Sequence, residues 1–346
     1  MWRGVSIFLL CGCALAGATR AGEGGSLDLY WVDVEGGAAT LIVTPAGESV
    51  LIDTGMPGER DPTRIVKAAR EAGLKQIDHL IITHFHIDHF GGAADVAKEL
   101  PVMALYDFGI PENNPDNPND NTRWNAWIKP YREMKAGKRV AVKAGDSIPL
   151  KQADSGAEIS LRCIAGQQKI GAAKTGREAD CEELAEKPRD TSDNANSLVF
   201  LLKFGAFDLF DGGDLTWNVE GKLVCPENVL PAVDVYDVNH HGLDSSNNPM
   251  LVNALAPTVA IMGNGTTKGC GPETFKTLKS VPRIEAIYQL HRNLRADSQN
   301  NTGAEYIANK ERDCEANLVK LSVAQDGRSY TVGIPASGHS RRFESR

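Results

Sequence analysis

Basic runs are missing from this chain. Of its 346 residues, 37 are Lys or Arg and 45 are Asp or Glu, a formal net charge of −8. That balance removes the global electrostatic footprint of a nucleic-acid binder, although it does not forbid nucleic acid as a substrate. A long apolar run is missing as well: the stretch from Val5 to Ala18 is too short for a membrane span. No CxxC pair marks a structural zinc, and no internal repeat of fixed short period marks a solenoid. Histidine is scarce, with 8 in the whole chain, so any cluster of them stands out.

What is present is ordinary for a globular protein: 42% hydrophobic and 24% charged residues, enough for one large α/β domain or two smaller ones. Residues 1–22 read as an export signal. Arg3 gives a positive start, an apolar stretch follows, and Ala14-Leu15-Ala16 or Ala16-Gly17-Ala18 offers a cleavage site. Leu10-Cys11-Gly12-Cys13 also resembles a bacterial lipoprotein box with Cys13 as the lipidated residue. The expectation is a secreted or periplasmic protein with no membrane span once mature, a lipid anchor at Cys13 being the alternative. Export permits disulfides among Cys163, Cys181, Cys225, Cys270 and Cys314. Cys163 with Cys181 would close a polar loop and Cys270 with Cys314 would tie down the C-terminal region. Buried free thiols are the alternative for each.

Periodicity orders the rest. Residues 27–34, 38–44, 49–52 and 79–83 alternate or run apolar as strands, and 62–72 and 92–100 have helical spacing. Further strands are expected at 197–202, 207–210, 233–238, 259–262, 318–323 and 330–334, with a helix at 272–278. Residues 111–120, rich in Pro, Asn and Asp, cannot be regular structure. Trp124, Trp127 and Tyr131 follow at helical spacing. Two readings stay open for them, a lid or substrate rim and an aromatic stripe packed on the core. Residues 27–336 read as a single domain with insertions near 109–137 and 167–191, and 337–346 as a solvated tail. Strands precede helices in both halves, which suggests two β-then-α units packed together.

The most informative stretch is Thr83-His84-Phe85-His86-Ile87-Asp88-His89-Phe90-Gly91-Gly92. Four metal-ligand types fall within six residues: His84, His86, Asp88 and His89. Imidazoles and a carboxylate at that density suit a borderline-soft divalent ion, zinc above all. The segment lies between a strand and a helix, so its residues sit on a tight loop at a strand end. His84 and His86, two apart, can point one way, while Asp88 and His89, past the turn, can serve a second ion. Two ions need more ligands, and two later strand ends offer them. Asp214 follows Phe210-Asp211-Gly212-Gly213, and His240-His241-Gly242 follows residues 233–238. His79 reads as a strand-edge residue and His339 as part of the tail. His291 is a further candidate to approach the centre.

With those motifs in view, the chain resembles the metallo-β-lactamase superfamily, and within it the branch containing competence-protein (ComEC-type) hydrolase domains. The matching residues are Val32-Asp33-Val34-Glu35-Gly36-Gly37-Ala38-Ala39, Leu51-Ile52-Asp53-Thr54-Gly55, the HxHxDH segment, Asn194-Ala195-Asn196-Ser197-Leu198-Val199, Gly213-Asp214 and His240-His241-Gly242. The resemblance implies an α/β fold of four layers, an αββα sandwich. It also implies a dinuclear site holding two Zn2+, with Mn2+ or Fe2+ as alternatives. In that site His84 and His86 bind the first metal, Asp88, His89 and His240 the second, and Asp214 bridges. Asp88, Asp214 and His241 become the catalytic candidates, the two aspartates as proton carriers and His241 beside the substrate. Asp53 matches the family's buried aspartate that orients a ligand-bearing loop.

One departure is visible. Many members carry a further first-metal histidine before the bridging aspartate, yet no histidine occurs between His89 and His240. Asp193, Asn194 or Asn196 occupies that region. The expected activity is hydrolysis by a hydroxide held between two ions, acting on a phosphodiester or other ester. Lactone or β-lactam hydrolysis, and a non-catalytic metal-bearing protein at the cell surface, are the alternatives. A small molecule under an aromatic lid fits the composition at least as well as nucleic acid.

Overall fold

Two mixed sheets of nine strands each face one another in the computed structural model, which describes residues 25–346 apart from 155, 172–176, 179–180 and 182–184. The export signal and Cys13 lie outside the described residues. In the first sheet the spatial order is His339–Glu344, Ser329–Ile334, Val319–Val323, Leu27–Trp31, Thr40–Val43, Ser49–Ile52, Ile77–Ile81, Val102–Asp107 and Lys138–Ala141. In the second it is Ile307–Asn309, Ala286–His291, Val259–Met262, Val235–Asp237, Phe207–Asp211, Val199–Phe204, Ile159–Gly166 and Ser147–Ile148, with Lys169–Ile170 pairing beside Ile159–Gly166.

The two-residue period of a strand explains the layers. In Ser49–Ile52, Val50 and Ile52 enter the core between the sheets, beside Trp31, Phe200, Phe204, Phe207 and Tyr288. Leu51 points the other way, into a second core with Ile65, Ala69, Phe90 and Trp124 of the outer helices. Likewise Leu209 faces the inter-sheet core, while Phe210 packs with Leu223, Leu251 and Phe275 of the helices on the opposite flank. Each such fully buried side chain contributes roughly 1.5–3 kcal/mol. Helices Arg60–Glu71, Ala93–Glu99 and Thr122–Glu133 thus cover one sheet, and Trp217–Val224, Pro249–Leu255 and Pro272–Ser280 cover the other. The result is the αββα sandwich.

Parallel pairing fixes where a site can be built. Ser49–Ile52, Ile77–Ile81 and Val102–Asp107 run parallel, as do Phe207–Asp211, Val235–Asp237, Val259–Met262 and Ala286–His291. Their carboxyl ends therefore open together within each sheet, the usual place for ligands in such sheets. The amide of Leu198 donates to the carbonyl of Thr83 at 2.9 Å and that of His240 to Gly213 at 2.9 Å, which sews these ends together.

Two expectations need correction. Residues 337–346 are not a free tail: His339–Glu344 pairs antiparallel with Ser329–Ile334, and Phe343 is buried. The disulfide joins Cys181 to Cys225. Cys163, Cys270 and Cys314 are free thiols, because Cys163 and Cys270 are enclosed in separate parts of the core and Cys314 lies in a different loop. The bond fastens the second insertion to the end of helix Trp217–Val224. Among the described residues no helix is long and apolar enough to cross a membrane.

Candidate metal centre

Asp53 is the residue from which the centre is built. It ends Ser49–Ile52 with a left-handed φ of 60°. Its Oδ1 accepts the amide of Thr83 at 2.8 Å, and its Oδ2 accepts the Thr83 hydroxyl at 2.7 Å and Nδ1 of His89 at 2.7 Å. Because the Thr83 hydroxyl donates to Asp53, it accepts from Nδ1 of His84, 3.1 Å away. One buried carboxylate thereby sets the tautomer of two imidazoles, leaving both Nε2 atoms free to face the centre.

Those nitrogens meet Asp214, placed by the Gly212-Gly213 turn after Phe207–Asp211. Its Oδ2 lies 3.2 Å from Nε2 of His89, 3.3 Å from Nε2 of His241, 3.4 Å from Nε2 of His240 and 4.0 Å from Nε2 of His84. One carboxylate oxygen, itself at a strand end, is surrounded by four imidazole nitrogens from two other strand ends. Nε2 of His84 is buried with no hydrogen-bond partner, and burying a polar atom unpaired costs roughly 1–3 kcal/mol.

The pair His240-His241 divides. Both residues take left-handed conformations, φ 54° and 56°, within the turn Asn239–Gly242. His241 Nε2 lies 3.3 Å from His89 Nε2 and 3.7 Å from Asp88 Oδ2, so Asp88, His89 and His241 converge. His240 looks the other way, with Nε2 3.3 Å from the Asn194 amide nitrogen and Nδ1 near the hydroxyls of Ser245 and Ser246. Of the three residues expected in place of the absent histidine, Asn194 faces the centre. Asp193 instead accepts the amides of Phe85 and of the Asn196 side chain.

His86 stands apart from these convergent groups. Its Nε2 pairs with Asp116, 3.0 Å from Oδ2, and its side chain remains 22% exposed. Asp116 belongs to the Pro/Asn-rich loop and also accepts the amide of Asp193 at 2.8 Å. His291 does not join the centre but meets Asp33, 2.5 Å away. His79 is occupied with Tyr106 and Glu48. Lys268, which no sequence pattern singles out, forms an ion pair with Asp88. Asp116 was equally illegible beyond its place in the irregular loop.

Electrostatics follow from this crowding. Burial and the neighbouring His89 and His86 hold the His84 pKa well below its ordinary value. Burial opposes charge on His89 too, but Asp214, Asp53 and Asp88 outweigh it and raise the pKa well above normal. Asp214 is also desolvated, yet His241, His89 and His240 hold its carboxyl well below the usual range. Burial depresses His240 to about 4. A small cavity of about 40 Å³ adjoins the centre, lined by Asp214, His240 and His241 together with Asp53, Asp211 and Asp237. A separate groove of about 250 Å³ runs between His86, Asp88, Asn114, Asp116, Trp124 and Trp127. The aromatic stripe packs on the core for two of its three members. Trp124 and Tyr131 are buried against Phe85 and Phe90, while Trp127 stays 43% exposed on the groove.

The profile of the metallo-β-lactamase superfamily matches residues 32–107. ComE operon protein 3 of Bacillus subtilis is 26% identical over 258 residues, 70% of this chain and 28% of that protein. A UPF0173 metal-dependent hydrolase of Polynucleobacter asymbioticus is 35% identical over 97 residues, 27% of this chain and 33% of that protein. The chain therefore spans a third or less of the length of these relatives. Among solved structures, a diphosphatase of the PhnP family is 14% identical, covering 75% of this chain and 94% of its own, with a TM-score of 0.40.

Proposed function

The chain carries a metallo-β-lactamase superfamily domain, and on that premise we propose that it is an exported, zinc-dependent hydrolase of phosphodiester or other ester bonds. The observation that carries this reading is the single Asp214 oxygen among four imidazole nitrogens. The donor set is all nitrogen and carboxylate oxygen, which suits Zn2+ and also admits Mn2+ or Fe2+. The partnerless Nε2 of His84 fits a bound cation as well.

His84 and His240, with His86 once its ring turns from Asp116, would hold one ion, Asp88, His89 and His241 the other, and Asp214 would serve both. His240 thus takes the part of the histidine absent between positions 89 and 240, a different division from that implied by the resemblance. When bound, two such ions supply Lewis acidity and a water acidified to near-neutral pKa. Asp53 fixes His84 and His89 before substrate arrives. Asp88, with an 18% exposed side chain, borders the groove and can carry a proton between the centre and the leaving group. Lys268 beside it sets one positive charge near the substrate's negative group. Trp127 offers a flat apolar wall.

The groove-lining residues include Asp88 and Asp116 but no Lys or Arg. That favours a small ester or lactone over a polynucleotide, whose phosphates call for a basic track. The Cys181–Cys225 bond supports export into an oxidising compartment. The test uses the full chain loaded with zinc and assayed on bis-p-nitrophenyl phosphate, a lactone and nitrocefin. We expect chelator-sensitive turnover of at least the first or second, abolished in Asp214→Ala. A chain that binds no metal, or metal-loaded protein that turns over none of the three, contradicts the proposal.

A further inference from the structure

A second set of ligand-type side chains gathers from three separate segments of the chain. Asp33 and Glu35 follow Leu27–Trp31 of the first sheet, His291 ends Ala286–His291 of the second, and Cys314 comes from the loop before Val319–Val323. One ligand atom from each of the four lies within 4.8 Å of all the others. Asp33 and His291 are fully buried, and Glu35 and Cys314 are partly so. The turn at Gly36-Gly37 is tightly placed: a Cβ on Gly37 would come within 2.6 Å of the Asp88 carbonyl, and one on Gly36 within 3.0 Å of the Gly265 amide.

We propose that Asp33, Glu35, His291 and Cys314 form a separate binding site for a thiophilic divalent cation such as Zn2+. One thiolate, one imidazole and two carboxylates make a four-ligand set of the type zinc accepts in closed sites, with bonds of about 2.0–2.3 Å. The atoms are already near neighbours. Nε2 of His291 is 2.5 Å from Asp33 Oδ1, and Sγ of Cys314 is 3.5 Å from Asp33 Oδ2. A cation in their midst would join the two sheets at the point where the C-terminal loop crosses them.

Arg64 currently supplies the positive charge there. Its guanidinium lies 2.9 Å from Asp33 Oδ2 and 3.2 Å from Glu35 Oε1. It also lines a neighbouring cavity of about 310 Å³ with Thr63, Lys67, Glu71 and Cys314, which gives it room to turn away. Arginine and metal ion are therefore competitors for the same two carboxylates. This site differs in chemistry from the hydrolytic centre, whose candidate ligands include no sulfur.

That difference makes the proposal separable from the hydrolase reading. The full chain is reconstituted with Co2+ and scanned for the near-ultraviolet thiolate-to-cobalt charge-transfer band, with bound cobalt counted per chain. The band is expected in the wild type and in Asp214→Ala. It is expected to vanish in Cys314→Ser and His291→Ala with loss of one cobalt equivalent. In Arg64→Gln, which keeps all four ligands, cobalt binding tightens several-fold. A wild type without the band overturns the proposal, as does a band that survives in Cys314→Ser or cobalt binding unchanged in Arg64→Gln. The four side chains are then an ion-pair and hydrogen-bond network closed by the arginine.

Discussion

The loop His84–His89 and the turn Asn239–Gly242 both deliver imidazoles to Asp214, but they do so by different physics. The first follows its strand with ordinary backbone, His86 being extended at φ −84° before the one-turn helix Ile87–Phe90. Asp53 and Thr83 aim its His84 and His89 rings without any left-handed backbone. The second places His240, His241 and Gly242 in left-handed conformations in succession, φ 54°, 56° and 82°. For the two histidines that costs roughly 1–2 kcal/mol each. The strain is held by a buried network. Glu220 accepts the Asn239 side-chain amide at 2.6 Å and the backbone amides of Asn247 and Asn248 at 2.9 and 2.7 Å. Asn247 in turn donates to the carbonyls of Asn239 and Leu243, and Tyr236 donates to Asn247. Strain that surrounding structure over-determines is a mark of functional sites. Here it lets two adjacent histidines face opposite sides of one carboxylate.

If the turn needs this support to hold a strained backbone, while the loop's supports only aim its side chains, Glu220 should be the turn's most sensitive point. Glu220→Ala leaves three buried donors unpaired and should cost about 3 kcal/mol or more in urea unfolding. The pH response has a definite sign. Burial raises the Glu220 pKa from 4.5 to about 7, so folding disfavours its charged form. Its contribution to stability is therefore lost progressively as pH rises from about 4.5 to 7, by about 3 kcal/mol in all. Glu220→Gln should flatten that slope, and an unchanged slope would assign it to other groups.

A smaller effect is expected at Gly242, where a Cβ would meet the Met262 sulfur at 2.7 Å and φ is 82°. Gly242→Ala should lower stability by about 1–3 kcal/mol and turnover with it. The equivalent change at Gly47, at φ 77° with nothing within 4 Å, should cost only its backbone term. Smallest is Trp127→Ala. Its exposed ring should be worth under about 0.5 kcal/mol in stability, yet its loss should raise KM by weakening the wall of the groove. A KM that does not move would return Trp127 to the status of ordinary surface.

Much of this was legible in the sequence, and the limits have physical causes. Strands with strong apolar runs, such as Val259–Met262, are recovered to the residue. HxHxDH and its partners Asp214 and His240-His241 could be placed at strand ends. Ile159–Gly166 escaped notice because it lies between two polar insertions, although it alternates in burial at its start. Pro249–Leu255 is only seven residues long, too short to develop a helical period. His339–Glu344 looked solvated because an edge strand can expose Ser340, Arg342 and Glu344 while burying only Phe343. Lys268 and Asp116 come from irregular loops, where spacing carries no direction. The division of labour between His240 and His241 depends on backbone handedness, which a two-letter repeat does not encode.

Counting metal in His240→Ala and His241→Ala tests the central claim most directly, with zinc per chain and bis-p-nitrophenyl phosphate turnover measured side by side. Each variant should bind one zinc fewer than the wild type and lose at least about 100-fold in turnover, since each removes a direct ligand. Adding Asp88→Ala should remove no further zinc from His241→Ala but should take a second one from His240→Ala. If either single variant keeps the full complement of zinc, or if the two respond identically to Asp88→Ala, the two histidines do not serve opposite sides of Asp214.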